Sequence, residues 1–169
     1  MSDQISEGSS LYKLGIWIAE PGNEEFYSPG EIFIKAKEDQ VFKVPKSLGE
    51  GDIPDKENLL ELINVVSKAM IETLDCEKIY CVSLGESKDP KDSLHFRLLP
   101  RYREDKEILN EFNAVVGEKN DGLALMAIWR KQFLHKRKSR DSNPKPFDEL
   151  YKKHKDAVDK IRDELHNLP

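Results

Sequence analysis

Among the four histidines of this chain, His95 is the one set among groups that could do chemistry with it. It lies in Ser93-Leu94-His95-Phe96-Arg97-Leu98-Leu99-Pro100-Arg101-Tyr102, which opens with strict polar–apolar alternation. In an extended strand, Ser93, His95 and Arg97 share one face while Leu94, Phe96 and Leu98 share the other. A neutral imidazole is a competent nucleophile near pH 7, and attack on phosphorus gives a phosphohistidine-type intermediate. That chemistry needs cations or backbone amides on the phosphate oxygens. Arg97 and Arg101 can supply charge, and the Ser93 hydroxyl can donate a hydrogen bond. The same row of side chains also suits the wet face of a half-buried strand, so the residues by themselves leave both readings open. His135 falls in a basic run, His154 in a helical apolar seam and His166 near the C-terminus, where none of them needs a site.

The 169 residues fit one domain, or a domain with an appendage. A domain of this size buries roughly 70% of its unfolded surface, so no disulfide or metal is needed to hold it together. With 38% hydrophobic and 35% charged residues, the composition is that of a soluble, heavily charged globular protein. A net charge of −5 and a pI near 5.5 argue against wholesale nucleic-acid binding but leave room for local basic patches. The longest apolar run, Leu123 to Trp129, is far short of the ~20 residues of a membrane span. Residues 1–10 are polar, lack the apolar core of a signal peptide, and are expected to form a disordered tail of a cytoplasmic protein. Cys76 and Cys81 have no zinc-type companions in the sequence. Buried reduced thiols are the expectation, with redox sensing or metal binding as alternatives. No metal-ligand cluster and no cofactor motif are apparent.

The elements that must position His95 follow from periodicity. Leu11 to Glu20 reads as a strand, Pro21-Gly22-Asn23 and Ser28-Pro29-Gly30 as turns, and Glu31 to Lys37 as a second strand. Gln40 to Pro45 reads as a short third strand. Asp55 is placed to cap a helix over about 56–74, whose face Leu59, Leu62, Ile63, Val66, Met70 and Leu74 points to a core. Lys78 to Leu84 is the next strand and 93–98 the last, with Pro100 expected to end its pairing. This order predicts an α+β domain over residues 11–102, with a mainly antiparallel sheet and a packed helix. Residues 103–169 then form a helical C-terminal extension: a charged segment to Asp121, a helix over 122–140, a break at Asn143-Pro144-Lys145-Pro146, and a last helix. Phe147, Tyr151, His154, Val158, Ile161 and Leu165 give that helix a heptad-like seam, expected to pack on 122–133 as a hairpin or to form a homodimer.

Residues 93–102 resemble the histidine-triad (HIT) signature, in which a strand carries His-x-His-x-His and runs into Leu-Ile-Pro-Arg. Aligned on Leu98-Leu99-Pro100-Arg101, His95 falls on the middle histidine, the family's nucleophile. Upstream, Tyr27-Ser28-Pro29-Gly30-Glu31-Ile32-Phe33-Ile34-Lys35-Ala36-Lys37 is similar to the family's Pro-Gly-His-x-Leu-Val-x-Pro-Lys segment, with Glu31 at the histidine. The resemblance covers about residues 11–102 and implies a HIT-like fold that binds a nucleotide or another phosphorylated small molecule. It further implies hydrolysis or transfer of a nucleoside monophosphate through a covalent His95 intermediate, with Arg97 and Ser93 on the phosphoryl oxygens and Arg101 and Lys37 as further phosphate contacts. Ser93 and Arg97 replace the outer histidines, and a guanidinium holds charge without shuttling protons at neutral pH. Where the family carries Gly-Gln-Ser/Thr before the strand, this chain has Lys88-Asp89-Pro90-Lys91-Asp92. Pro90 removes an amide donor and the aspartates oppose an anion, while Lys88 and Lys91 offset part of that effect.

The run Arg130 to Arg140 holds six cations (Arg130, Lys131, Lys136, Arg137, Lys138 and Arg140) and no acid. It suits a solvated helix end, favoured by the helix dipole. It also suits a patch for nucleic acid or another polyanion, or a dimer contact. The alternative to the enzyme is therefore a catalytically inactive binding module, meeting nucleic acid or protein through the basic C-terminal helices.

Overall fold

A computed structural model of the chain describes residues 10–22, 26–83, 93–106, 110 and 121–168, with residues 121–124 described as backbone only. It is an α+β structure built on a five-stranded antiparallel sheet. The strands are β1 (Tyr12–Leu14), β2 (Trp17–Pro21), β3 (Ile32–Ala36), β4 (Cys76–Val82) and β5 (Phe96–Tyr102), in spatial order β1-β2-β3-β5-β4. Helix α1 (Lys56–Thr73) connects β3 to β4; α2 (Asp121–Lys138) and α3 (Lys145–His166) follow the sheet.

The period-2 pattern sorts the two faces. Trp17, Ala19, Ile32, Ile34, Ala36 and Leu98 turn to one side and meet Leu59, Leu62, Val66 and Met70 of α1. Each such fully buried aliphatic side chain contributes roughly 1.5–3 kcal/mol. Ala157, Val158, Ile161 and Leu165 of α3 enter the same cluster, so the last helix completes the core beside α1. Its expected pairing with the preceding helix is confined to its N-terminal end, where Phe147 meets Phe133 at 5.9 Å. The seam was therefore real, but its principal partner is α1. On the opposite face of the sheet, α2 lays Leu125 and Trp129 over Leu99, Tyr80 and Val82. Asp105 fastens α2 there: it accepts the Trp129 indole N–H at 3.0 Å and the Tyr102 amide at 2.8 Å.

Five local expectations are corrected. Residues 11–20 form a hairpin rather than one strand: Gly15 takes φ +52° and Asp55 accepts the Ile16 amide at 2.9 Å, folding β1 back on β2. Asp55 consequently does not cap α1 with its side chain, which is committed to Ile16 and Asn58. The expected strand at 40–45 is a 3-10 turn, Glu38–Lys43, closed by Gln40 N–H to Lys37 O at 2.8 Å. Phe42 is 80% exposed there, so its β propensity finds no core to join. Pro100 does not end β5; it pairs with Ile79. Its carbonyl points toward the β3 side, accepting the Ser28 hydroxyl at 2.8 Å, beyond the last β3 pair at Leu98. The amide that proline lacks falls on that vacated side. The two cysteines are free, with Cys76 half-buried and Cys81 exposed on β4, contrary to the expectation that both are buried.

Candidate functional site

β5 begins at Phe96, so Ser93, Leu94 and His95 approach the sheet just before regular pairing starts. The buried Leu94 side chain and its amide, bonded to Pro45 O at 2.7 Å, anchor that approach. His95 is half-buried beside Phe33, ring centroids 6.0 Å apart. Its Nδ1 lies 3.1 Å from the Ser93 carbonyl oxygen. A carbonyl only accepts, so this contact puts the ring proton on Nδ1 and leaves the lone pair on Nε2. Ser93 thus contributes through its backbone to orienting the imidazole.

Arg97 lies two residues on, directly opposite Phe33 in the ladder. Its guanidinium carbon sits 4.4 Å from the Phe33 ring centre and 5.1 Å from that of Tyr27. One terminal nitrogen, Nη1, donates to Glu31 Oε1 at 2.8 Å. Glu31 is fully buried, and its other oxygen accepts the Tyr27 amide at 2.5 Å. Burial pushes the Glu31 carboxyl above its ordinary range, against the pull of Arg97 and of the Tyr27 and Ser28 amides. Tyr27 also carries Arg130 of α2, 5.8 Å from its ring centre. An alternating series of aromatic rings and cations therefore runs from His95 through Phe33, Arg97 and Tyr27 to the start of the basic run.

The loop that holds Tyr27 and Glu31 is bolted down by distant side chains. Besides the Ser28 bond to β5, Tyr102 donates its hydroxyl to Pro29 O at 2.7 Å. Gly30, at φ +85°, packs so tightly that a Cβ would sit 3.0 Å from Leu74 Cδ1 and 3.1 Å from Ala157 Cβ. Its amide donates to His154 Nδ1 at 2.9 Å, while His154 Nε2–H donates to Gly22 O at 2.8 Å. His154 is fully buried and stacked on Phe26 at 4.1 Å; burial lowers its pKa to about 4. The seam pattern placed His154 in the core, but its role in holding the Gly22 and Gly30 turns has no local sequence signal. The same is true of Glu31, which looked like a substituted histidine and is a buried partner of Arg97.

The other sequence-derived residues disperse. Arg101 reaches Tyr80 Oη and Glu77, both at 3.0 Å, on the β4 side. Four residues along a strand separate it from Arg97 by roughly 13 Å. Lys37 follows β3 at the end of the sheet nearer Ser93 and His95. Lys88 and Lys91, with Pro90 and its flanking aspartates, lie outside the described residues. On and after α2, Lys131, Arg137 and Lys138 are exposed and Lys136 is half-buried, whereas Arg140 approaches Asp148 at 3.9 Å and stacks on Phe147. Among the described residues no group of three or more His, Cys, Asp or Glu is placed to hold a metal. No helix described is long and apolar enough to cross a membrane. A shallow cavity of about 410 Å³ opens between α1 and β4, at Asn64, Ser67, Lys68, Ile71, Glu72 and Ile79, and includes none of the residues above. No protein-family model matches the chain, and no curated protein matches it.

Proposed function

We propose that this protein is a divergent HIT-like protein that binds a nucleotide or another phosphorylated small molecule against the face bearing His95. In this reading it hydrolyses or transfers the nucleoside monophosphate through a covalent His95 intermediate. The observation that supports this most directly is the Nδ1 contact to Ser93 O, which leaves Nε2 as a nucleophile of fixed direction. The Nε2 lone pair attacks the α-phosphorus, the P–N bond forms, and the leaving group departs with the electrons of the broken P–O bond. The positive charge on the ring is shared with the Nδ1–H donated to Ser93 O. Water or an acceptor hydroxyl then attacks phosphorus and gives up its proton to solvent, the P–N bond breaks, and the imidazole returns to neutral. Arg97 stands beside the imidazole on the same face to stabilise the phosphoryl oxygens. The antiparallel sheet, with α1 between β3 and β4 and the Pro29-Gly30 turn packed beside β5, is consistent with that family resemblance. Incubation with dinucleoside polyphosphates, nucleoside phosphoramidates and nucleotide sugars, followed by intact mass measurement, should reveal an acid-labile nucleotidyl adduct that His95→Ala abolishes. Turnover by His95→Ala equal to wild type, or no adduct and no turnover in either protein, would sink the enzymatic reading.

A second reading, a non-catalytic module for nucleic acid, rests on Lys131, Lys136 and Lys138, which have no acidic partner among the described residues. It predicts binding to single- or double-stranded oligonucleotides that weakens steeply with salt. Binding unchanged by replacing these three lysines with glutamine would remove the patch from consideration.

A further inference from the structure

On the sheet face that carries His95 and Arg97, alternation brings Leu99 and Arg101 next along β5, with Tyr80 and Val82 beside them on β4. Leu99 is fully buried, because Leu125 and Trp129 of α2 lie over this apolar strip. Strip and cover form a cluster apart from the main core, to which α1 and α3 belong. The C-terminal half of α2 is pinned more firmly: Phe133 is fully buried against Phe26 at 5.2 Å and Phe147 at 5.9 Å. Among the described side chains, the other half rests on Leu125, Met126 and Trp129 and on one latch, the Trp129 indole donating to Asp105 Oδ1. The closed position also contains stranded donors. Arg97 and Arg101, at the two margins of the strip, each bury an Nε that meets no acceptor. Buried donors without acceptors penalise the state that contains them. The helix reaches the candidate site as well, since Arg130 stands 5.8 Å from the centre of the Tyr27 ring that walls Arg97.

Building on the His95 reading above, we propose that α2 is an autoinhibitory strap. Its N-terminal half lifts from β4 and β5 about the Phe133 end, and a ligand at His95 and Arg97 binds the lifted form better. Closed, Leu125 and Trp129 fill the ground beyond Arg97 along β5, so anything bulkier than a phosphoryl group meets the helix. Lifted, Leu99, Tyr80 and Val82 become an apolar shelf next to Arg97, and the margins that hold the two Nε donors open to water. The apparent affinity is then the intrinsic affinity scaled by the fraction of molecules that are lifted. Loosening the latch raises affinity, the reverse of what losing a purely structural contact does.

The test uses Trp129→Phe in the full chain, which keeps an aromatic ring over Leu99 and removes the latch. Amide hydrogen exchange, read residue by residue by NMR, reports opening without any ligand. In wild type, amides 126–130 should exchange roughly tenfold or more faster than amides 62–70 of α1. Trp129→Phe should speed the first group by roughly another tenfold, the weight of one hydrogen bond to a charged group, and leave α1 alone. Affinity for AMP, measured by isothermal titration calorimetry, should rise by up to the same factor. One common exchange rate for α1 and α2 in wild type, or equal acceleration of both in the variant, overturns the strap. Accelerated α2 exchange with AMP affinity unchanged or lowered overturns the autoinhibition and spares the His95 reading. Failure of both proteins to bind AMP sinks the His95 reading and the inhibitory role together. If Trp129→Phe does not fold, wild type with and without AMP decides the matter. AMP should speed exchange in α2 relative to α1, and protection of α2 by AMP overturns the proposal.

Discussion

Replacing His154 by phenylalanine tests how the last helix holds the loop beside the candidate site. The native imidazole is neutral and does two jobs, accepting from the Gly30 amide and donating to the Gly22 carbonyl. Phenylalanine can keep the stack on Phe26 but leaves both backbone groups buried without that partner, at about 1–3 kcal/mol each. Protonation of His154 would turn the acceptor Nδ1 into a donor facing another donor. Its pKa accordingly falls from 6.5 to about 4 in the folded protein, chiefly through burial. The sign is fixed by linkage: below pH 6.5 the unfolded chain takes up a proton that the folded chain refuses, so stability is full above 6.5 and declines as pH falls toward 4. Each unit is worth about 1.4 kcal/mol, so the whole window removes about 3 kcal/mol, and the fall from pH 6.5 to 5 about 2. Glu31 and Asp105, whose carboxyls are raised by burial, act in the opposite sense near and above the ordinary carboxylate range. Both carboxyls are shared by wild type and variant, so the difference between the two proteins from pH 6.5 to 5 isolates the imidazole. Urea unfolding at half-unit steps should show wild type losing about 2 kcal/mol more than His154→Phe over that interval, the variant being less stable at pH 7.5. Equal slopes in the two proteins would refute the assigned role of the neutral imidazole.

Other perturbations probe the remaining joints. Arg97→Met leaves the Glu31 carboxylate buried and unpaired, and should cost about 3–5 kcal/mol in chemical unfolding. Addition of Glu31→Gln should restore much of that stability, and a double-mutant cycle showing no coupling would contradict the pairing. Asp105→Ala strands the Trp129 indole N–H and the Tyr102 amide. It should destabilise by about 2–4 kcal/mol and shift Trp129 emission, with a Trp17→Phe background isolating the signal. Gly15→Ala places a Cβ 1.8 Å from Asp55 Oδ2 at a positive φ; it should lower the melting temperature by several degrees, whereas Gly51→Ala, with open space around its Cβ position, should not.

Legibility varied with how local the signal was. Helix α1 announced itself because Leu59, Leu62, Val66 and Met70 recur at helical spacing, and burial of all four follows directly from that pattern. The strand over Ile32–Ala36 was equally plain, since branched side chains alternate across one half-buried ladder. The hairpin at Gly15 was not, because apolar residues continue through the turn and its stabilising acceptor, Asp55, lies 39 positions away. The 3-10 turn at 38–43 imitates a strand in composition and is decided by a backbone bond from Gln40 to Lys37. The site divides in the same way. His95 and Arg97 were recognisable by type and spacing, whereas the commitment of Arg101 to Tyr80 and Glu77 required knowing that β4 lies alongside β5.

The sequence by itself determined the α+β class, the principal helices, and the placement of a histidine and an arginine two residues apart on one face. These depend on periodicity, which is a property of neighbouring residues. Only the tertiary structure decided what those side chains face: the carboxylate that shares Arg97, the buried histidine 124 residues from the amide it accepts, and the packing of the last helix on α1. The physical reason is that burial and partnership are set by segments far apart in the chain. A carboxylate such as Glu31 reads as surface in any local window until Arg97, 66 positions away, closes over it and joins the Tyr27 and Ser28 amides of its own turn.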